Sequence, residues 1–308
     1  MKPDALKKKP VAVILGGDSA EREVSLRSGE AVLNALRQKG YNVFPLDSAE
    51  DVAQQLLLSG AEAAFLAVHG RHGEDGTIQG LLEMLHIPYT GSGVLASAVA
   101  MDKAVSKTMI RAAGVPTPEA HLVTAATELD TFCRTHTAYP CVVKPVREGS
   151  TLGISVAHTA SELLEGIRSA RTYDAKVLVE DFIAGREVTV GVLDGQALPV
   201  VEVVAKSGFY DYTAKYTPGQ TEYHVPAPLE AELYTAVQAA AEKVYNAIGC
   251  RGAVRVDFML RANEHFFLEV NTIPGMTQTS LLPKAAAYEG MDFASLVECI
   301  LQDAALDK

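Results

Sequence analysis

Toward the end of the chain, Asp257 is followed by Glu269 and Asn271, which stand two residues apart in a second apolar run. In a strand, positions i and i+2 share a face, so Glu269 and Asn271 present a carboxylate and an amide oxygen together. Asp257 on the neighbouring strand adds a second carboxylate. Such hard oxygen ligands suit Mg²⁺ completed by phosphates and water. Two acids on adjacent strands repel, so a metal or a buried cation is expected between them. Arg255 falls on the same face as Asp257 and offers the alternative, a structural ion pair.

Three other groups carry chemistry. Lys144 ends a strand and is followed at once by Arg147-Glu148-Gly149-Ser150-Thr151-Leu152-Gly153. Small residues let backbone N–H groups approach phosphate oxygens, and a strand-end lysine supplies a point charge. The Walker A pattern is absent, and a plain Gly-Ser hairpin is the alternative. Glu180-Asp181-Phe182-Ile183, with Glu187 beyond, offers an apolar wall flanked by acids, suited to a purine, its amino group and a ribose, or simply a polar strand end. Gly16-Gly17-Asp18-Ser19-Ala20-Glu21 makes a strand-to-helix turn in which Asp18 or Ser19 can cap the helix. There Glu21 is favoured by the helix dipole.

The elements that must hold these groups begin as an alternation. Val11–Leu15 reads as a buried parallel strand, Glu21–Lys39 as a helix stopped by Gly40, Asn42–Leu46 as a strand, Asp51–Leu58 as a helix and Ala63–Val68 as a third strand. This βαβαβ start predicts an open parallel sheet, with ligands beyond the carboxyl ends of its strands. Both Gly16-Gly17-Asp18 and His69-Gly70 lie there. A helix around Met101–Ala113 and the stiff turn Gly114-Val115-Pro116-Thr117-Pro118 lead into a mixed unit. Its strands are Cys141–Pro145, Ile154–Ala157 and Val177–Glu180, with a helix at Ser161–Arg171. Strands at Glu187–Leu193 and Pro199–Val204 follow. A polar, aromatic loop at Lys206–Pro228 and a helix at Glu230–Ile248 lead to strands at Ala253–Leu260 and His265–Val270.

Composition limits the alternatives. The chain has 308 residues, 48% hydrophobic and 21% charged, enough for two or three packed domains. Its net charge of −11, with 27 basic residues scattered among 38 acidic ones, disfavours a nucleic-acid partner. Cys133, Cys141, Cys250 and Cys299 form no C-x-x-C pair and are expected as buried reduced thiols. The basic start Met1–Pro10 precedes too short an apolar run for a signal peptide, and no later span is long enough for a membrane. A solvated tail and a cytoplasmic protein without a membrane partner are expected.

These motifs together resemble the ATP-grasp superfamily and, within it, the D-alanine–D-alanine ligases. The carriers are Gly16-Gly17 with Ala20–Ser25, His69-Gly70-Arg71-His72-Gly73-Glu74-Asp75-Gly76, Met101-Asp102-Lys103, Lys144-Pro145 and Arg147–Ser150. Glu187, Lys215-Tyr216, Arg255-Val256-Asp257, Glu269 through Thr277 and Ser280-Leu281 continue the order over nearly the whole chain. The resemblance implies an α/β, three-domain ATP-grasp architecture: a substrate-binding N-terminal open parallel sheet (1–101), then two mixed α+β lobes (102–184 and 185–308) gripping ATP. It implies that Lys103, Lys144 and Lys215 bind phosphates under the Gly149–Gly153 loop, which includes Ser150 and Thr151. Glu180 would hold the adenine amino group beside Phe182 and Ile183, and Glu187 the ribose. Asp257, Glu269 and Asn271 would ligate two Mg²⁺, with Mn²⁺ able to substitute. Glu21 would receive the ammonium of the first D-alanine, linked by hydrogen bonds to Ser150 and Tyr216, with Val24 in the substrate pocket and His69 near the first carboxylate. Arg255 and the Gly275 backbone would meet the developing oxyanion, and Ser280 and Leu281 the second carboxylate. The 206–228 loop would close as a lid, and a homodimer is suggested.

The nearest rival is a ligase of the same superfamily making D-alanyl-D-lactate; a tyrosine at position 216 is linked by the resemblance to amine acceptors. A dinucleotide-dependent oxidoreductase lacks its G-x-G-x-x-G here and needs no metal trio. A non-catalytic nucleotide-binding regulator leaves Arg255, Asp257, Glu269 and Asn271 together unexplained.

Overall fold

The computed structural model describes residues 6–205 and 220–307. Lys215 and Tyr216, and with them most of the expected lid, lie outside the described residues. The described residues build a three-stranded parallel sheet, then a four-stranded and a five-stranded antiparallel sheet.

In the first sheet, β1 (Val11–Leu15) lies between β2 (Val43–Asp47) and β3 (Ala63–Leu66), all parallel. The run Val-Ala-Val-Ile-Leu is apolar throughout because both faces of β1 are covered. Val11, Val13 and Leu15 face the core shared with α1 (Arg22–Gln38) and the two C-terminal helices α9 (Leu281–Tyr288) and α10 (Phe293–Gln302). Ala12 and Ile14 face the core of α2 (Val52–Ser59) and α3 (Thr77–Met84). On α1 the buried residues Ser25, Ser28, Val32, Leu36 and their neighbours recur every three to four positions. Gly29 lets that helix close on β1, since a Cβ there would stand 2.6 Å from Leu15. The expected solvated tail is corrected from residue 6 onward: Leu6 is fully buried in this core, and Lys9 pairs with Glu62 at 3.0 Å. One apolar residue is enough to tether the segment.

The expected helix around Met101–Ala113 is present as α5 (Lys103–Ala112), and a separate helix, α4 (Val94–Met101), precedes it across Asp102. Asp102 leaves helical geometry and its side chain accepts from the Ala104 and Val105 amides, so it caps the second helix.

The second sheet has the order β4 (Ala120–Val123), β7 (Val177–Asp181), β5 (Cys141–Pro145), β6 (Ser155–Ala157). Helices α6 (Leu129–Thr135) and α7 (Ala160–Ala170) cover one face, burying Cys141, Val143, Val177 and Val179. By period 2, Lys144 and Glu180 therefore share the opposite face. Lys144 pairs in register with Leu178, which puts it diagonal to Glu180.

The third sheet runs β10 (Thr221–His224), β9 (Gln196–Ala205), β8 (Arg186–Leu193), β11 (Ala253–Arg261), β12 (Glu264–Asn271). The presence of β10 corrects the expected loop at Lys206–Pro228, whose last part is an edge strand paired to β9. Helix α8 (Ala231–Ile248), with Ala96, Ala100 and Ile110, covers the face carrying Val188, Val190, Val254, Val256 and Phe258. Alternation leaves Glu187, Thr189, Arg255 and Asp257 on the other face. The cysteines are free; Cys133, Cys141 and Cys250 are buried as expected, while Cys299 is only partly so. Burial pushes Cys250 up to about 12, which keeps its thiol protonated and inert.

Candidate active site

A cleft of about 650 Å³ opens where the three sheets meet. From the first sheet's loops it takes Glu21, Val24, His69 and Glu74. From α5 and the loop after β5 come Lys103, Glu148, Gly149 and Ser150. From the third sheet and the turn beyond it come Glu187, Thr189, Arg255, Asp257, Glu269, Asn271, Gly275, Ser280 and Leu281.

Glu21 occupies the N-cap position of α1, yet its side chain caps nothing. Neither Asp18 nor Ser19 takes the position offered to them as a cap. The Ser19 hydroxyl accepts from the Glu21 amide at 3.2 Å and donates to the His69 carbonyl at 2.8 Å. The Glu21 carboxylate instead accepts a hydrogen bond from the Ser150 hydroxyl. Ser150 and Thr151 have φ of +50° and +64°, uncommon for side chains with a Cβ and a mark of a backbone held under strain. At Gly149 a Cβ would stand 2.7 Å from Glu21 Oε2, so only glycine admits this approach.

Around the same carboxylate, His69 is 3% exposed, with Nε2 3.4 Å from Ser28 Oγ. Burial lowers its pKa against the pull of Glu21, so the ring is neutral at neutral pH. Glu74 accepts from the Gly70 amide at 2.7 Å and the Ile273 amide at 3.3 Å. Burial, with the Glu21 charge beside it, pushes Glu74 up to about 8. Sequence reasoning gave Glu74 no role, although it sits in the His69–Gly76 motif; only the fold shows that it joins that loop to the chain beyond β12.

On the third sheet, Asp257 lies directly opposite Glu269, and Arg255 opposite Asn271. Arg255 grips Asp257 in a bidentate pair at 2.9 and 2.8 Å, and Thr189 Oγ1 donates to Asp257 at 2.5 Å. Lys103 pairs with Glu269 at 3.0 Å and donates to the Glu148 carbonyl at 2.7 Å. Burial pulls the Lys103 ammonium down, but Glu269 outweighs it, with Glu180 and Glu21 adding to the upward pull. Both acids thus have a cation, so the ion-pair alternative describes Arg255 and Asp257 as they stand. The donor set still fits a hard divalent ion: two carboxylates and an amide oxygen on facing strand positions. Among the described residues no three His, Cys, Asp or Glu side chains gather into a metal-holding group. An ion here therefore needs oxygens from phosphate and water to complete its shell.

Ser280 is the N-cap of α9, and its hydroxyl accepts from the Thr277 amide at 3.1 Å. The amide of Leu281 begins that helix, where N–H groups lack intrahelical partners and favour a carboxylate. Gly275 lies across from it, with a Cβ position 3.1 Å from Ser280 Oγ.

The remaining expected ATP residues stand apart from this cleft. Lys144 and Glu180 are buried and pair with each other at 2.7 Å. Phe182 is 36% exposed and Ile183 is buried. None of these four, nor Thr151, lines the cleft; Lys144, Glu180, Phe182 and Ile183 form a separate wall on the second sheet. Lys107 also reaches that wall, pairing with Glu180 at 3.0 Å; sequence reasoning missed it because a lysine four residues after Lys103 looks like an ordinary helix surface position.

The D-ala D-ala ligase C-terminus model matches residues 109–302, and the D-ala D-ala ligase N-terminus model matches residues 10–55 and 48–92. A D-alanine–D-alanine ligase of Syntrophotalea carbinolica is 57% identical over 308 residues, covering 100% of both chains. One of Geotalea uraniireducens is 48% identical, covering 99% of each. The crystal structure of a Bacillus anthracis D-alanine–D-alanine ligase complexed with ATP is 33% identical, with a TM-score of 0.82 over 96% of this chain and 97% of that one. A D-Ala:D-Ser ligase from Enterococcus faecalis superimposes with the same TM-score at 31% identity, covering 96% of this chain and 98% of its own.

Proposed function

The chain belongs to the D-alanine–D-alanine ligase family of ATP-grasp enzymes, and we propose that its cleft performs that family's reaction with the residues assigned below. The protein is an ATP-dependent ligase that joins two D-alanines, a step that supplies cell-wall precursors.

A carboxylate is a poor acyl donor, so the γ-phosphoryl group of ATP is transferred to the carboxylate oxygen of the first D-alanine, giving D-alanyl phosphate and ADP. The amine of the second D-alanine then attacks the acyl carbon, and the tetrahedral intermediate collapses to dipeptide and phosphate with loss of the amine proton. Glu21, fixed by Ser150, receives the first ammonium, next to Val24, while neutral His69 borders the first carboxylate without adding a competing charge. Lys103, Lys144 and Lys215 counter phosphate charge beneath the Gly149–Gly153 loop. Glu180 and Glu187 take the adenine and ribose, with Phe182 and Ile183 beside the base. Asp257, Glu269 and Asn271 are the residues that would hold two Mg²⁺, or Mn²⁺ in their place, which supply charge neutralisation for the transferred phosphoryl group. Arg255 stabilises the oxyanion with the Gly275 amide, a preorganised donor contributing about 3 kcal/mol. Ser280 and the Leu281 amide seat the second carboxylate. Tyr216, outside the described residues, is assigned to the same hydrogen-bonded link.

The Glu21–Ser150 bond supports this assignment most directly, because it joins Glu21, beyond the first strand, to the glycine-serine loop after β5. We assign three domains, 1–101, 102–184 and 185–308, a cytoplasmic location and a homodimer. No described helix is long and apolar enough to cross a membrane. The test is a panel of D- and L-amino acids with D-lactate and D-serine, scored by ADP formation and product mass. ADP released only with D-alanine, together with the mass of D-alanyl-D-alanine, is expected. A D-lactate or D-serine adduct as the main product would reassign the acceptor site, a pertinent outcome because a D-Ala:D-Ser ligase shares the fold.

A further inference from the structure

Helix α5 carries two buried lysines four residues apart, Lys103 and Lys107, on one face. The phosphate site accounts for Lys103. Lys107 is 4% exposed, and its ammonium meets three separate parts of the chain. It stands 3.0 Å from Glu180 Oε1 at the end of β7, 2.9 Å from Thr117 Oγ1 in the linker and 3.3 Å from the Phe267 carbonyl on β12. Thr117 and the Phe267 carbonyl take two of its three donors, and Glu180 Oε1 is held beside them as an ion pair. The linker is itself tied to β12, because the Phe267 amide donates to the Pro116 carbonyl at 2.8 Å. The other oxygen of Glu180 holds Lys144 at 2.7 Å. Each oxygen of one buried carboxylate therefore has its own lysine.

We propose that Lys107 is a positioning residue of the nucleotide site: it fixes one oxygen of Glu180, and through Glu180 it fixes Lys144, at the seam between the second and third sheets. The proposal rests on the assignment of Glu180 and Lys144 to ATP. Its physical basis is charge compensation in a buried site. A buried carboxylate left with one cation draws that cation fully onto itself. Lys144 then faces Glu180 at the expense of the nucleotide, and the end of β7 loses its anchor to β12. Lys107 does not line the catalytic cleft, so the amino-acid sites should scarcely notice the change.

The test compares Lys107→Met, which keeps the length but not the charge, with Lys107→Gln, which keeps a donor. ATP affinity is measured by calorimetry, and KM and kcat are measured for ATP and for D-alanine. Lys107→Met should raise the ATP Kd and KM about tenfold or more, with the KM for D-alanine within about twofold; Lys107→Gln should fall between. A double-mutant cycle with Glu180→Gln separates positioning from general support. Once Glu180 is neutral, two ammoniums face each other without a carboxylate, so adding Lys107→Met should no longer raise the ATP KM. Additive losses in the cycle, equal losses for ATP and D-alanine, or an unchanged ATP Kd in both Lys107 variants would each overturn the proposal. If Lys107→Met does not fold, Lys107→Gln and its cycle decide. The adenine assignment fails separately: Glu180→Gln with an unchanged preference for ATP over GTP removes it, while Lys107–Glu180 coupling still stands or falls on the cycle.

Discussion

Two acidic side chains face each other across β11 and β12, and each is held by a cation from a different direction: Asp257 by Arg255, Glu269 by Lys103. Removing one negative charge would therefore do more than weaken the proposed metal site; it would free a cation beside the proposed position of the reacting phosphoryl group. Asp257→Asn and Glu269→Gln should each lower kcat/KM by about 10² or more, with the loss only partly recovered at high Mg²⁺, while thermal melting shifts little. Near-normal turnover at limiting Mg²⁺ would show that the pair serves the sheet alone. At the other end of the cleft, the proposed ammonium site depends on how closely two segments approach. A methyl group at residue 149 meets only the tip of Glu21, a flexible side chain that can swing aside. Gly149→Ala should accordingly leave stability within about 1 kcal/mol of the parent but raise the KM for the first D-alanine about tenfold, the effect expected of Glu21→Gln as well. Steady-state kinetics with the two D-alanine sites resolved would check both, and equal damage to ATP and D-alanine would move Glu21 out of the ammonium site.

Among the elements, the turn between β1 and α1 carries Glu21, the proposed ammonium site, just after two glycines with positive φ. It is braced by Arg22 in the first turn of α1, whose guanidinium grips Asp47 at the end of β2 at 2.9 and 2.6 Å. The Gly17 amide also donates to Asp47, at 3.2 Å. The Arg22 hydrogen bonds, opposed by partial burial, hold the Asp47 carboxyl down to about 2, below its ordinary 3.8. A carboxyl depressed in the folded state stabilises above its unfolded pKa, and that contribution is lost as pH falls through 3.8 toward 2. With both partners partly solvated, it is worth about 1 kcal/mol. Urea melts should show Asp47→Asn less stable than the parent by that amount at pH 6, with the gap narrowing at pH 3. An equal gap at both values would mean that packing, not charge, is lost.

Across the whole molecule, the end of the chain returns to its beginning. The Arg251 guanidinium donates to the carbonyls of Gly91 at 3.0 Å, Leu306 at 3.1 Å, Ala305 at 3.2 Å and Tyr89 at 3.4 Å. One side chain thus ties the start of the third sheet's β11 to the strand-like segment beside β3 and to the C-terminal residues. Arg251→Ala leaves four carbonyls to find other donors and should cost about 2–4 kcal/mol. Denaturant unfolding should give that loss with unchanged KM values if the clamp only supports the frame. A rise in KM for D-alanine would mean that the frame sets the cleft between the sheets as well.

What could be read in advance followed from local rules. The apolar run 11–15 reads as a buried parallel strand, and the spacing of Glu269 and Asn271 placed both on one face before any partner was known. The ordered motifs from Gly16 to Leu281 identified the family, because each motif pairs a residue type with a fixed offset. Tertiary structure decided which groups meet. Alternation assigns Lys144 and Glu180 to one face but cannot say that a second lysine, Lys107, arrives from a helix more than seventy positions away to share that carboxylate. The strand β10 within an apparent loop and Leu6 in the core were likewise invisible, since edge pairing and burial depend on neighbours distant in sequence. Periodicity records the face a side chain takes. The identity of the partner across from it is set only when distant segments pack and a buried charge must find its counter-ion.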